Sequence, residues 1–284
     1  MSRIAACMRV LRDAQRSALV PYVMAGDPGA EETVALMHAM VEAGANMIEL
    51  GVPFSDPMAD GPVIQKAAER ALKGGMSLRG VIDIVHRFRR DDASTPVVLM
   101  GYLNPVERMG YDTFVTEAAS AGVDGVLTVD LPPEEAESFT QLLREADIDP
   151  IFLLSPTTTS ARMRAVCEAA SGFVYYVSLK GVTGAASLDM DEVGERVRSI
   201  REITDLPVGV GFGISDAETA SRMAMVADAV VVGSALVKRM QAHADNPARM
   251  RHEVSELLSQ MRQAMDSHGG RYSSDAAPVG APGG

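Results

Sequence analysis

Glu49 is a charged residue in an unusual place. It stands in an otherwise apolar run, Met47-Ile48-Glu49-Leu50, where a carboxylate buried without a partner would cost several kcal/mol. Two ordinary arrangements would remove that cost: a side chain that faces outward, or an ion pair with a buried Arg, although no basic residue lies close in sequence. If the carboxylate is instead buried at a functional site, burial raises its pKa toward neutrality. Glu49 can then both give and take protons.

A second carboxylate, Asp60, follows eleven residues later, beside Gly61-Pro62. The intervening segment begins GVPFSDP (51–57), and its Gly and Pro residues indicate a loop. Such a loop can fold Asp60 back over Glu49 and so pair two carboxylates for proton chemistry. The alternative is a helix N-cap for a helix from Val63 onward, because Asp, one further residue and then Pro is a common helix start.

Glycines form a second cluster, in three segments that each lead toward a helix: Gly181–Gly184, Gly211–Ser215 and Gly233–Ser234. The N–H groups of such loops at helix N-termini bind phosphate, and glycine lets the phosphate oxygens approach. Turn glycines that bind nothing are the alternative. The sequence therefore indicates a phosphorylated substrate.

Eight short apolar runs predict the strands that position these residues. They are Leu19–Val23, Met47–Leu50, Val97–Met100, Gly125–Val129, Ile151–Leu154, Phe173–Val177, Val208–Gly211 and Ala229–Val232. Their unbroken apolar character is typical of parallel strands covered by helices, and segments with helical apolar spacing lie between them. A doubly wound open sheet has the same local signals, but eight β-α units in about 250 residues favour a (β/α)₈ TIM barrel.

The predicted barrel has an additional N-terminal helix and a C-terminal tail. Ile4, Cys7, Met8 and Leu11 recur at helical spacing, which predicts an amphipathic helix before the first strand. Residues 1–266 are predicted to form one barrel domain. Residues 267–284, SHGGRYSSDAAPVGAPGG, have too few large apolar side chains to offset the entropy of ordering them, so a disordered tail is predicted.

Composition disfavours several classes of function. The net charge of −12 and the absence of a Lys/Arg cluster disfavour binding to nucleic acid or to anionic membranes. The apolar runs stop short of the roughly 18–20 residues that span a bilayer. Cys7 and Cys167 are the only cysteines, and without a secretory signal they predict a cytoplasmic protein. A disulfide between them and an N-terminal transit peptide are the alternatives.

The histidines do not predict a metal site or a Ser-His-Asp triad. They are His38, His86, His243, His252 and His268. All fall on predicted helices or in the tail, whereas the active site of a TIM barrel lies at the C-terminal ends of its strands. We therefore expect no metal in this chain.

From about Ala18 to Met265, the chain resembles the alpha subunits of tryptophan synthase. The motifs that carry the resemblance are PYVMAGDPG (21–29), IELGVPFSDPMADGPVIQKA (48–67), GVDGVLTVDLPPEE (122–135), PIFLLSPTT (150–158), YYVSLKGVTGA (175–185), GVGFGIS (209–215) and VVVGSALVK (230–238). The segment ELGVPFSDPMADGP is highly specific for this family, whereas GFGIS and VGSA resemble phosphate loops of several barrels. Met58 replaces the usual Leu, and Lys180 adds a cation beside the expected lid.

The resemblance implies cleavage of indole-3-glycerol phosphate to indole and glyceraldehyde 3-phosphate. By family position, Glu49 would protonate indole C3 and accept the proton of the side-chain hydroxyl, while Asp60 would hold the indole N–H. The residues implied at the indole slot are Tyr22, Met100, Leu127, Leu153, Tyr175 and Phe212, with Thr183 as a lid residue that orients Asp60. Those implied at the phosphate are Gly184, Gly213, Gly233 and Ser234.

The resemblance also implies a partner. An alpha subunit carries no cofactor of its own and passes indole to a beta subunit that holds pyridoxal phosphate, in an alpha2beta2 heterotetramer. The loops near Asp56-Pro57, Asn104-Pro105 and Pro132-Pro133 would touch that subunit. Two other functions stay open: a Schiff-base aldolase that uses Lys180, the only Lys that follows a strand end, and a catalytically silent subunit that activates a second enzyme.

Overall fold

The computed structural model describes residues 2–177, 190–211 and 213–267. The described strands are β1 (Ala18–Met24), β2 (Ile48–Gly51), β3 (Val97–Gly101), β4 (Gly125–Thr128), β5 (Asp149–Ile151), β6 (Leu153–Leu154), β7 (Val174–Val177), β8 (Val208–Gly211) and β9 (Ala229–Val232). All their pairings are parallel, in the order β5-β4-β3-β2-β1-β9-β8-β7-β6. Six residues named above lie outside the described part, namely Lys180, Gly181, Thr183, Gly184, Phe212 and His268.

The sheet closes into a barrel because its two end strands, β5 and β6, are consecutive in the chain. Only Phe152 separates them, and its carbonyl accepts a hydrogen bond of 3.0 Å from the amide of Tyr175 on β7. Together the two short strands occupy one position in the barrel wall, between β4 and β7. Each such position is called a stave below. The barrel therefore has eight staves, which confirms the predicted (β/α)₈ fold. The sequence had predicted this stave as one unbroken strand, Ile151–Leu154.

Helices surround the barrel. The described ones are α1 (Arg3–Asp13), α2 (Ala30–Glu42), α3 (Pro62–Lys73), α4 (Leu78–Phe88), α5 (Leu103–Met109), α6 (Tyr111–Ala121), α7 (Glu137–Glu145), α8 (Ser160–Ala169), α9 (Met190–Arg201), α10 (Ala217–Ala224), α11 (Ser234–Ala242) and α12 (Pro247–Ser267), with a 3₁₀ turn at Pro133–Glu135. None of these helices combines the length and apolar character that crossing a membrane requires. The last one includes Ser267, and the predicted division into domain and tail stays a prediction.

Alternate strand residues serve two separate cores. In β1, Leu19 and Val23 pack in the layer between sheet and helices, whereas Ala18 and Val20 pack inside the barrel. This alternation follows from the two-residue period of a strand. The same alternation applies to β2, so every second residue of that strand faces the barrel interior.

Helix α1 covers the N-terminal end of the barrel. The sequence predicted a helix before the first strand but not where that helix packs. Its residues Ile4, Met8 and Leu11 are buried with the interior side chains of the strands. Arg3 binds the buried carboxylate of Asp124 at 2.8 Å, and this fixes the helix to the barrel floor. The opposite, C-terminal end of the barrel is left for the site.

Candidate active site

Glu49 points into the barrel from β2. Tyr22 on β1 and Val98 on β3 lie in register with it, and only 2% of its surface is exposed. Among the described residues, no group forms a hydrogen bond or an ion pair with the Glu49 carboxylate. Neither ordinary arrangement, the outward side chain or the pair with a buried Arg, therefore holds in the described part of the chain.

The surroundings of Glu49 change its acidity. Burial raises the pKa of Glu49 from its ordinary value of 4.5 to about 8, and the negative charge of Asp60 adds to the rise. A carboxyl group with that pKa is mostly protonated at neutral pH and can donate its proton. The carboxylate that remains is basic enough to accept another one. Glu49 is thus suited to donate one proton and then accept another.

Asp60 lies in the loop between β2 and α3, and its side chain is half-buried. The Tyr102 hydroxyl donates a hydrogen bond of 3.2 Å to Asp60 Oδ2, and the Gln65 amide donates one of 2.8 Å to the Asp60 carbonyl oxygen. Burial raises the pKa of Asp60, and the hydrogen bond from Tyr102 opposes that rise. The alternative role of Asp60 as a helix N-cap is wrong, because Gly61 caps α3.

Five of the residues predicted to line the indole slot are described, and they pack on the interior side of the barrel. They are Tyr22, Met100, Leu127, Leu153 and Tyr175, of which the two tyrosines are each 7% exposed. Burial raises the pKa of Tyr22 well above its usual value, as do the charges of Asp60 and Glu49, and burial and Glu49 do the same for Tyr175. Both phenols therefore stay neutral, and the apolar wall that they form suits a flat aromatic ligand.

Two strand glycines make room for the tyrosine rings. A Cβ atom on Gly51 would lie 2.2 Å from the Tyr22 hydroxyl oxygen, and one on Gly211 would lie 2.1 Å from the hydroxyl oxygen of Tyr175. Real Cβ contacts essentially never fall under 3.0 Å. Glycine at the end of β2 and of β8 thus permits each ring to extend across the neighbouring strand.

The predicted phosphate residues are described in part. Gly233 caps α11 without a side-chain hydrogen bond, and Ser234 is the exposed first residue of that helix. The preceding helix, α10, is instead closed by its own carboxylate, since Asp216 accepts a hydrogen bond from the amide of Thr219. An N-terminus without such a cap keeps amides for an anion. Gly213 is exposed with a φ of 75°, a conformation that also fits the alternative of a plain turn glycine.

The N-terminus of α11 lies beside Tyr22. A Cβ atom on Gly233 would lie 3.6 Å from Cβ of Tyr22, so the cap of α11 directly adjoins a slot residue. A ligand that placed a flat ring near Tyr22 could therefore reach the α11 amides with a short chain. The geometry favours a substrate with an aromatic end and an anionic end.

The other candidates lie apart from this region or outside the described residues. Among the described residues, no group of three or more His, Cys, Asp and Glu side chains is arranged to hold a metal ion. His38, His86 and His252 lie in helices, and His243 follows α11. Lys180 and His268 lie outside the described part. Cys7 and Cys167 are free thiols, and the alternative of a disulfide between them is wrong.

The loops predicted to touch a partner lie around the same barrel rim. The Phe54 ring packs on Tyr102 with 5.3 Å between centroids, and Asp130 accepts a hydrogen bond of 2.8 Å from the amide of Leu103. These two contacts connect the loops after β2, β3 and β4. Met58, in the first of them, is 85% exposed, and the same loop lines a cavity of about 370 Å³ together with α3.

Tyr102 is a site residue that the sequence analysis missed. It is 4% exposed and follows directly after β3, which is the position where barrel enzymes carry polar groups. That position was the available signal, because a phenol at a strand end can reach the neighbouring loop. Its partner Asp60 is 42 residues away in the chain, so the contact itself cannot be predicted from spacing.

Comparison with known proteins identifies the family. The sequence profile of the family described as "Tryptophan synthase alpha chain" matches residues 8–266. The tryptophan synthase alpha chain of Thioalkalivibrio sulfidiphilus is 66% identical over 266 residues, which cover 94% of this chain and all of the relative. That of Methylococcus capsulatus is 59% identical over 267 residues, with 94% and 100% covered.

Solved structures agree with the sequence comparison. The crystal structure of tryptophan synthase subunit alpha from Legionella pneumophila is 43% identical, with a TM-score of 0.88, and 94% of this chain and 99% of that one are covered. A chain of Mycobacterium tuberculosis tryptophan synthase is 39% identical, with a TM-score of 0.83 and coverage of 93% and 98%. This chain therefore belongs to the tryptophan synthase alpha chain family.

Proposed function

We propose that Glu49 and Asp60 together perform the lyase step for which this family is known. The family cleaves indole-3-glycerol phosphate in the biosynthesis of tryptophan, and this chain is an alpha chain of that enzyme. The observation that carries the proposed roles is a carboxyl group buried inside the barrel, with no partner among the described residues and a pKa of about 8. The products are indole and glyceraldehyde 3-phosphate.

Glu49 handles both protons of this reaction. It first donates its proton to indole C3, which makes that carbon tetrahedral and leaves the ring with a positive charge. The Glu49 carboxylate then accepts the proton of the adjacent side-chain hydroxyl. The carbonyl of the aldehyde forms, the bond between the side chain and C3 breaks, and its electron pair returns to the ring as indole. A pKa near the working pH is what this double role requires.

Asp60 balances the charge that this sequence creates. Protonation at C3 places positive charge on the ring nitrogen, and an ionised carboxylate beside the N–H stabilises it. Asp60 is half-buried and so close to Glu49 that its charge affects the pKa of Glu49. We place the ring among Tyr22, Met100, Leu127, Leu153, Tyr175 and Phe212, with Thr183 as the lid residue that contacts Asp60.

The phosphate occupies the far end of the site, because two carboxylates and a phosphate at one point would repel each other strongly. We assign it to the amides of Gly184, Gly213, Gly233 and Ser234. The uncapped N-terminus of α11 supports this assignment, since amides there remain free for an anion. The contact of Gly233 with Tyr22 supports a ligand that bridges slot and phosphate.

An alpha chain of tryptophan synthase implies a beta chain as its partner. We propose an alpha2beta2 heterotetramer in the cytoplasm, in which pyridoxal phosphate belongs to the beta subunit and the phosphorylated substrate to this chain. The contact surface would consist of the loops near Asp56-Pro57, Asn104-Pro105 and Pro132-Pro133. The first of these loops is supported by the cavity that it lines with α3 and by the exposed Met58 beside it.

The test is the release of indole from indole-3-glycerol phosphate, with and without a beta subunit. Glu49→Gln should lower it by several orders of magnitude, since a positioned general acid or base contributes about 10²- to 10⁴-fold. Folding and beta binding should persist. The matched control is Glu195→Gln, the same change at an exposed position of α9, which should leave the rate unchanged. Near-normal indole release by Glu49→Gln would refute the role of Glu49.

The same assay separates the two rival functions. A Schiff-base aldolase predicts that borohydride with substrate modifies Lys180 irreversibly and that Lys180→Ala abolishes turnover, whereas the proposed mechanism predicts neither. A silent activating subunit predicts no indole release by this chain under any condition. The raised pKa of Glu49 favours the lyase over both, because neither rival needs a protonated carboxyl in the barrel.

A further inference from the structure

Tyr102 contacts Asp60 through a hydroxyl whose direction is fixed. The amide of Ala59 donates a hydrogen bond of 3.0 Å to the Tyr102 hydroxyl oxygen, and that hydroxyl lies 3.2 Å from Asp60 Oδ2. The phenol ring is held from its side by Phe54, at 5.3 Å between ring centroids. The hydroxyl is thus a built part of the site rather than a rotating surface group.

The Ala59 amide determines where the hydroxyl proton goes. A phenol has one proton to donate, and an N–H group cannot accept it. The proton must therefore point to the Asp60 carboxylate, which it stabilises in the ionised form because a hydrogen bond to the charged form favours that form. Burial and the charge of Asp60 raise the pKa of Tyr102 itself, so the phenol keeps its proton.

Glu49 has no such donor among the described residues. Two carboxyl groups in one water-poor space do not both ionise easily, and the proton goes to the one whose charge is less stabilised. Burial already disfavours the anion more at Glu49, which is 2% exposed, than at the half-buried Asp60. The hydrogen bond from Tyr102 acts in the same direction, because it stabilises the Asp60 anion alone.

We propose that Tyr102 is a positioning residue that assigns the shared proton, holding Asp60 as the anion and leaving Glu49 as the proton donor. The catalytic role of this hydrogen bond rests on the proposed function. Its effect on which carboxyl group is ionised is a property of the chain without substrate. Gln65 supports it from the other side, since its amide fixes the main chain of Asp60.

Tyr102→Phe tests the proposal, because it keeps the ring on Phe54 and removes only the hydroxyl. The matched control is Tyr111→Phe: the Tyr111 hydroxyl also lies 3.3 Å from a carboxylate, that of Glu107, and its ring packs on Phe139. We expect Tyr102→Phe to lower kcat for indole release about 10- to 100-fold, the range for loss of a hydrogen bond to a charged group. KM should change less, and Tyr111→Phe should change neither.

The pH profile separates this role from a merely structural one. Loss of the hydrogen bond raises the pKa of Asp60, so activity on the acid side should fail at a higher pH than in the unmodified chain. In an Asp60→Asn background, Tyr102→Phe should have little further effect. An unchanged acid limb, or the same loss of kcat in both backgrounds, would overturn the proposal.

Carbon NMR of the side-chain carboxyl groups gives a result that needs no substrate. In the full chain, with signals assigned from Asp60→Asn and Glu49→Gln, Tyr102→Phe should raise the pKa of Asp60 and lower that of Glu49. Unchanged titrations would overturn the proposal even if the enzyme were active. If the unmodified chain released no indole, the proposed function would fail, and the titration would still decide the role of Tyr102.

Discussion

Replacing Gly51 by Ala should displace Tyr22 without removing any polar group of the site. Gly51 is buried at the end of β2, and an added Cβ atom would lie 2.2 Å from the hydroxyl oxygen of Tyr22, 2.7 Å from its Cζ and 3.0 Å from its Cε2. To reach an ordinary contact of at least 3.4 Å, the hydroxyl would have to retreat by about 1.2 Å. Tyr22 is 7% exposed, so its displacement would disturb the buried side chains around it.

Both stability and activity should respond. Overpacking of this kind costs about 1–3 kcal/mol, and each kcal/mol lowers Tm by about 2–4 °C in a chain of this size class. A shift of about 1 Å at a slot residue can cost about 100-fold in rate, so kcat/KM for indole release should fall by more than the stability loss explains. Differential scanning calorimetry and the indole assay measure the two effects.

Two further variants make the prediction specific. Tyr22→Leu removes all three clashing atoms, so in a double-mutant cycle it should restore most of the stability that Gly51→Ala loses, but not the activity. The control is Gly194→Ala within α9, where an added Cβ meets only a Val226 methyl at 3.7 Å and should stabilise the helix by about 0.5–1 kcal/mol. If Gly51→Ala kept the Tm and rate of the unmodified chain, the steric reasoning would be refuted.

Three other predictions follow from buried groups. Because the pKa of Glu49 is about 8 when folded and ordinarily 4.5, the folded chain binds more protons between those values, and its free energy of unfolding should fall as pH rises through that window. Denaturant titrations of Glu49→Gln should lack this fall, and an identical slope would contradict it. Arg70→Met leaves Asp27, at 2% exposure, without its ion-pair partner and should cost about 3–5 kcal/mol; a loss under about 1 kcal/mol would mean that the pair behaves like a surface one. Ile4→Ala empties a fully buried position of α1 and should cost about 2–5 kcal/mol, whereas a loss of only a few tenths would show that α1 does not seal the barrel.

The sequence predicts the fold because each stave is a local signal. Runs such as Val208–Gly211 and Ala229–Val232 recur as strands with the predicted bounds, since parallel strands buried on both faces are continuously apolar. The fifth stave is different, because its break at Phe152 depends on pairing with two neighbouring strands. A break set by neighbours leaves no mark in the local pattern.

The site follows the same division. Glu49 was proposed as a site residue because an acidic side chain stands in an apolar run. Asp60 was proposed because the loop between the two residues is long enough to fold back over Glu49. Tyr102 was missed because its contact with Asp60 joins two loops. The ion pair of Asp27 with Arg70 likewise joins the loop after β1 to α3, and its residues are 43 positions apart. No local sequence pattern predicts such a pair.

Burial alone does not distinguish Glu49 from the other buried acidic side chains of this barrel. Among the described residues three acidic side chains are buried, and they differ in their partners: Asp27 has Arg70 at 2.7 Å, and Asp124 has Arg3 at 2.8 Å and Arg89 at 2.5 Å. Asp124 lies at the floor, where a satisfied charge stabilises the fold. Of the three, only Glu49 has no partner among the described residues, so the free-energy cost of its burial has to be offset by the rest of the fold. A buried carboxyl group that the fold leaves unpaired is the one free to release and bind a proton.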